Sequence, residues 1–128
     1  MTSKHTKKLR DAKYAANSEH IGWSIIEKAR EALVQFAHAR DIVVHSVEYV
    51  ATFEDWDSRL GVFIFFPKDS DLRAHAKSGA TTILEKEFKA ILLKLEYPFD
   101  KFPDVYFEFD SDENVQKNYE GNYFFRLR

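Results

Sequence analysis

The chain has 128 residues, 45% hydrophobic and 16% aromatic, with twelve Phe and no Cys, which suits one domain around a Phe-rich core and excludes a disordered chain. The lack of Cys also removes disulfides, thiolate zinc sites, iron–sulfur ligation and a cysteine nucleophile. Net charge is −2, but residues 1–40 carry 8 Lys/Arg against 4 Asp/Glu while residues 41–128 carry 11 against 17; this argues against a uniformly nucleic-acid-coating protein and for an acidic surface on the later part of the chain.

Residues 1–16 hold Lys4, Lys7, Lys8, Arg10 and Lys13 with few large apolar side chains, and are expected to form a flexible basic arm ahead of a single domain, 17–128. The opening residues have no apolar stretch behind them, and no apolar run approaches the roughly 18 residues of a membrane span. The expectation is therefore a cytoplasmic chain with neither signal peptide nor membrane helix.

Asn17 and Ser18 are good helix caps, and Ile21, Ile25, Ala29, Ala32, Leu33, Phe36 and Ala37 come after them at helical spacing, predicting a first helix over 18–39. From Ile42 to Phe53 the period becomes two, with Val47, Tyr49, Ala51 and Phe53 on one face and Glu48 and Thr52 on the other. His45 falls on the Val47 face of that strand, where burial would lower its pKa. Leu60 to Phe66 is apolar on both faces, as a covered central strand requires, and 54–58 reads as the hairpin connection.

Asp69 or Ser70 can cap the segment after Pro67. Beyond Ser78 and Gly79, the residues Leu84, Phe88, Ile91, Leu92 and Leu95 mark a long core-facing helix. Pro98 and Pro103 bracket a loop, after which Val105, Phe107 and Phe109 alternate with Tyr106 and Glu108 as a third strand. Asp110 with Glu113 suggests a capping box for a short helix, and Gly121 allows a turn into a fourth strand, 123–127. The expected fold is α+β, in the order αββαβ(α)β: about four mostly antiparallel strands with two main helices on one face.

No phosphate-cradling glycine motif and no nucleophile elbow occurs, and the histidines share no His-x-x-x-His spacing. Carboxylates are the remaining chemical resource. Glu108 and Asp110 share a strand face and would be the pair for a metal-dependent enzyme, although no Lys occurs two residues after either. Capping explains Asp69, Asp110 and Glu113 without any function, since acidic groups complement the helix dipole.

The functional alternative is a docking surface made of Glu54, Asp55, Trp56 and Asp57 at the hairpin tip and Glu108, Asp110, Asp112 and Glu113 around the end of the third strand. An exposed Trp ringed by acids is a good anchor for a basic protein partner. A rival reading has the basic arm neutralise phosphates of nucleic acid.

The most individual stretch is 107–128, FEFDSDENVQKNYEGNYFFRLR. In its character, a cysteine-free α+β domain with an acidic aromatic surface and no catalytic motif, the chain resembles bacterial toxin-neutralising immunity proteins, including those of contact-dependent growth inhibition systems. The resemblance implies a non-catalytic protein, without cofactor or metal, that binds a cognate basic toxin or nuclease and blocks it. Oligomeric state is left open.

Overall fold

The four-residue spacing of Ile25, Ala29, Leu33 and Ala37 puts these side chains on one stripe, all buried, and builds the first helix, α1 (Ser18–Ala39), of the computed structural model. The structure describes residues 18–51 and 59–127, with side chains for 23–50 and 59–127. The basic arm and the hairpin tip with Glu54, Asp55, Trp56 and Asp57 lie outside the described residues.

α1 leads into β1 (Ser46–Ala51), which pairs antiparallel with β2 (Arg59–Phe66). Two helices come next, α2 (Asp69–Ser78) and α3 (Ala80–Lys94). Gly79, at φ 90°, separates them: a side chain there would meet nothing within 4 Å, so the left-handed backbone rather than space calls for glycine. β3 (Asp104–Ser111), α4 (Asp112–Asn118) and α5 (Tyr123–Arg126) complete the order.

Among the described residues the sheet has three strands, in the order β1-β2-β3, and β2 pairs with β3 in parallel. This corrects the expectation of about four mostly antiparallel strands. The α2–α3 connection supplies the long crossover that parallel neighbours need, which a count of strands cannot reveal.

The predicted fourth strand, 123–127, is instead the short helix α5 and the turn after it. Its aromatic residues allow a period of two, but the same residues put Tyr123, Arg126 and Leu127 on one helical face. The Asn122 side chain caps that turn by accepting from the Phe125 N–H at 3.0 Å.

The register sorts the sheet into two faces. On the first, Val47, Leu60, Val62, Ile64 and Phe66 join α1 and α3, through Leu33, Leu84, Phe88 and Leu92, in the main core. On the second, Phe63 and Phe65 are buried against Val115, with Tyr119, Tyr123 and Leu127 packed around them. α4 and α5 therefore cover the upper end of a face to which the periodicity assigned no helix. Burying each of those phenylalanines stabilises the fold by about 1.5–3 kcal/mol relative to exposure.

His45 does not sit in the core as expected. The strand begins at Ser46 and not at Ile42, so His45 is free of the alternation; its side chain is 42% exposed on the second face, with Nε2 3.4 Å from Asp112.

Candidate functional site

Alternation on each strand places Ser46, Glu48 and Val50 of β1, Gly61, Phe63 and Phe65 of β2, and Tyr106, Glu108 and Asp110 of β3 on the second face. The register joins them into three rows across the sheet: Val50–Gly61–Tyr106, Glu48–Phe63–Glu108 and Ser46–Phe65–Asp110. In the first row the missing side chain of Gly61 gives room to Tyr106; a Cβ at Gly61 would lie 2.5 Å from the Tyr106 hydroxyl oxygen. In the second row two carboxylates flank one phenyl ring, their strands two ladder spacings, roughly 10 Å, apart.

Arg126, brought over this face by α5, is the counter-charge. Its Nε donates to Asp110 at 2.5 Å and its Nη2 to Glu108 at 3.3 Å. The guanidinium carbon stands 5.8 Å from the ring centre of Phe63 and 5.9 Å from those of Phe65 and Tyr119, within cation–π range. Burial works against the charge, but the hydrogen bonds to Asp110 and Glu108 outweigh it and the Arg126 pKa moves up. The pair that a metal-dependent reading would use, Glu108 and Asp110, is thus bridged by a cation of the chain itself.

The other predicted carboxylates are occupied with structure. Glu113 accepts the Asp69 N–H at the start of α2 at 2.9 Å. Ser111 caps α4 by accepting from the Asn114 N–H at 3.0 Å, while its own hydroxyl donates to Asp69. Asp110, buried, also accepts from the Asn114 side-chain amide.

Asp112 accepts from the Tyr123 hydroxyl at 2.5 Å and the Gln116 amide at 3.2 Å. The Tyr123 hydrogen bond chiefly lowers its pKa; burial opposes this, while Gln116 and the His45 charge add to it. The Tyr123 phenol moves the other way, raised by burial and then by its bond to Asp112.

Of the eight residues proposed from sequence, the structure therefore brings Glu108 and Asp110 together under Arg126, with Glu108 exposed and Asp110 buried, engages Asp112 and Glu113 in holding helices, and leaves Glu54, Asp55, Trp56 and Asp57 outside the description. Sequence reasoning did not select Glu48, whose carboxylate forms no ion pair with a described residue, although the alternation against Val47 placed it on this face. It also did not select Arg126, whose pairing depends on the helix at 123–126. Phe124 and Phe125, 68% and 54% exposed, supply an aromatic patch on the outer side of that helix.

A shallow pocket of about 380 Å³ continues the face around the outer edge of β1. Val34 and Val47 give it an apolar floor, and Glu31, Glu48 and Arg30 stand around it. Arg30 reaches the Val47 carbonyl at 3.4 Å and is itself paired to Glu27 at 2.7 Å, so much of its charge is satisfied internally.

Among the described residues no helix is long and apolar enough to cross a membrane. Comparison with protein-family models, curated proteins and solved structures finds no match to this chain.

Proposed function

We propose that this protein acts by stoichiometric binding of a basic protein partner through the second face of its sheet, in the manner of a toxin-neutralising immunity protein, and carries out no catalysis of its own. The observation that carries this reading is the row Glu48–Phe63–Glu108, two carboxylates across one aromatic ring, of which Glu108 is paired to Arg126 and Glu48 forms no ion pair with a described residue. Exposed aromatic side chains supply interface energy, and surrounding charges steer encounter and select the partner. Phe124, Phe125 and Tyr106 are the anchors this face offers, and the pocket shared with Glu48 suits the aliphatic stem of a lysine or arginine with its head at the carboxylates.

The test is a low-salt pull-down from native lysate with tagged wild type beside Glu48→Lys, read by mass spectrometry and by absorbance for nucleic acid. The wild type is expected to retain a basic protein near 1:1, released by salt and lost with Glu48→Lys. Identical recovery with both baits, or nucleic acid with no protein, overturns the reading.

A further inference from the structure

The last helix is held in an unusual way. α5 has four residues, far below the length at which a helix persists alone, so its order comes from docking. One stripe does the docking on the sheet: Tyr123 against Phe65, with ring centres 4.8 Å apart, and on Asp112; Arg126 on Asp110 and Glu108; and Leu127 in the Phe63–Phe65–Val115 cluster. The receptor for that stripe is formed by β2, β3 and α4, with His45 and Ser46 at the start of β1 beside Tyr123, and does not include the docking segment.

The link between receptor and segment is the turn at Glu120 and Gly121, and both adopt left-handed backbone, at φ 53° and φ 73°. The Gly121 N–H closes the turn on the Val115 carbonyl at 2.9 Å. For Glu120 this conformation is strained, whereas an extended link would relax it. Meanwhile Phe124 and Phe125 face outward on the docked helix, leaving two adjacent aromatic rings largely in water.

We propose that the segment Asn122–Leu127 is exchangeable, and that in a second copy of this chain it docks on the same sheet face it occupies in its own. Two copies trading segments form a closed two-fold dimer in which every side-chain contact of the stripe is reproduced. Only the turn changes: it opens from the left-handed pair to an extended link, which relieves Glu120 in both copies. The partner here is identified by the contacts themselves, since a ligand carrying Tyr, Arg and Leu at this helical spacing is already present in the chain. The proposal does not rest on the binding of a basic partner.

Turn variants separate exchange from ordinary association, because exchange depends on the closed turn alone. Gly121→Ala strains the closed turn further, since a side-chain carbon disfavours the φ of 73°, while the Gln116 side-chain oxygen it would meet at 2.8 Å can swing aside. Glu120→Gly relaxes it. The dimer fraction of full-length protein is measured by light scattering after size exclusion, over about 5–500 µM with long equilibration.

Relative to wild type, Glu120→Gly is expected to weaken dimerisation by roughly fivefold per turn and Gly121→Ala to strengthen it by a similar factor. A chain that stays monomeric throughout with Gly121→Ala folded by circular dichroism overturns the proposal. So does a dimer whose strength the two variants fail to move in opposite directions. If Gly121→Ala does not fold, the comparison of wild type with Glu120→Gly decides alone, and equal dimer fractions or none overturn it.

Discussion

α1 and α3 end in the same way, and the way is costly. After α1 the Asp41 N–H bonds the His38 carbonyl and the Ile42 N–H the Ala37 carbonyl; after α3 the Glu96 N–H bonds Leu93 and the Tyr97 N–H bonds Leu92. These are paired Schellman bonds, and the left-handed position that most often holds glycine is filled by Asp41, at φ 59°, and Glu96, at φ 63°. The turns are kept because Ile42 and Tyr97, the next residues, are buried.

Glu96→Gly therefore removes two penalties. Left-handed backbone costs an ordinary L-residue about 1–2 kcal/mol, against which glycine loses about 0.5–1 kcal/mol more backbone entropy on folding. A carboxylate at the negative end of a helix dipole adds about 0.3 kcal/mol or more at an exposed site. The expected net gain is about 1 kcal/mol, seen as a rise of roughly 3–5 °C in Tm for a domain of this size.

Urea unfolding followed by circular dichroism measures it directly, with an unchanged m-value expected. Glu96→Gln separates the parts, because it removes the charge and keeps the Cβ, and should recover only the smaller electrostatic share. Asp41→Gly should gain less than Glu96→Gly, since Asp tolerates the left-handed region better. A Glu96→Gly protein no more stable than Glu96→Ala would refute the reasoning, since alanine keeps the side-chain carbon that the backbone disfavours.

The second face yields two more expected outcomes. Arg126→Met should destabilise by about 2–3 kcal/mol, below the 3–5 kcal/mol of a fully buried pair, because Arg126 and Asp110 side chains remain 16% and 12% exposed. Adding Asp110→Asn should return about 1 kcal/mol or more in a double-mutant cycle, and strictly additive costs would contradict the pairing. Asp112 has a folded pKa below its ordinary 3.8, so its contribution is present above that value and is lost as pH falls through the lower folded pKa. Urea midpoints between about pH 2.5 and 6 should therefore fall less steeply below about pH 4 for Asp112→Asn than for wild type, and parallel curves would count against the Tyr123–Asp112 bond as the cause.

Much of the fold was legible because it is written in periodicity. The stripe Ile25, Ala29, Leu33, Ala37 and the stripe Leu84, Phe88, Leu92 are buried as their spacing demands, and the unbroken apolar run Leu60–Phe66 is the central strand. The illegible part turns on contacts distant in sequence. The segment 123–127 satisfies a strand period and a helical turn equally well over so few residues, and the receptor on β2 and α4 decides between them. The parallel pairing of β3 is likewise a property of the crossover and not of the residues in β3.

The site divides along the same line. Alternation placed Glu48 opposite Val47 and grouped Tyr106 with Glu108, so the composition of the second face could be read from the strands. Which carboxylates stay open could not, because Glu113 and Asp112 differ from Glu108 only in the groups that reach them: the Asp69 N–H, the Tyr123 hydroxyl and the Arg126 guanidinium. A cluster of acids in sequence is therefore a pool from which the fold first draws its caps and counter-ions. Of the two strand carboxylates on the second face, Glu108 is drawn on in this way by the Arg126 guanidinium, and Glu48 forms no ion pair with a described residue.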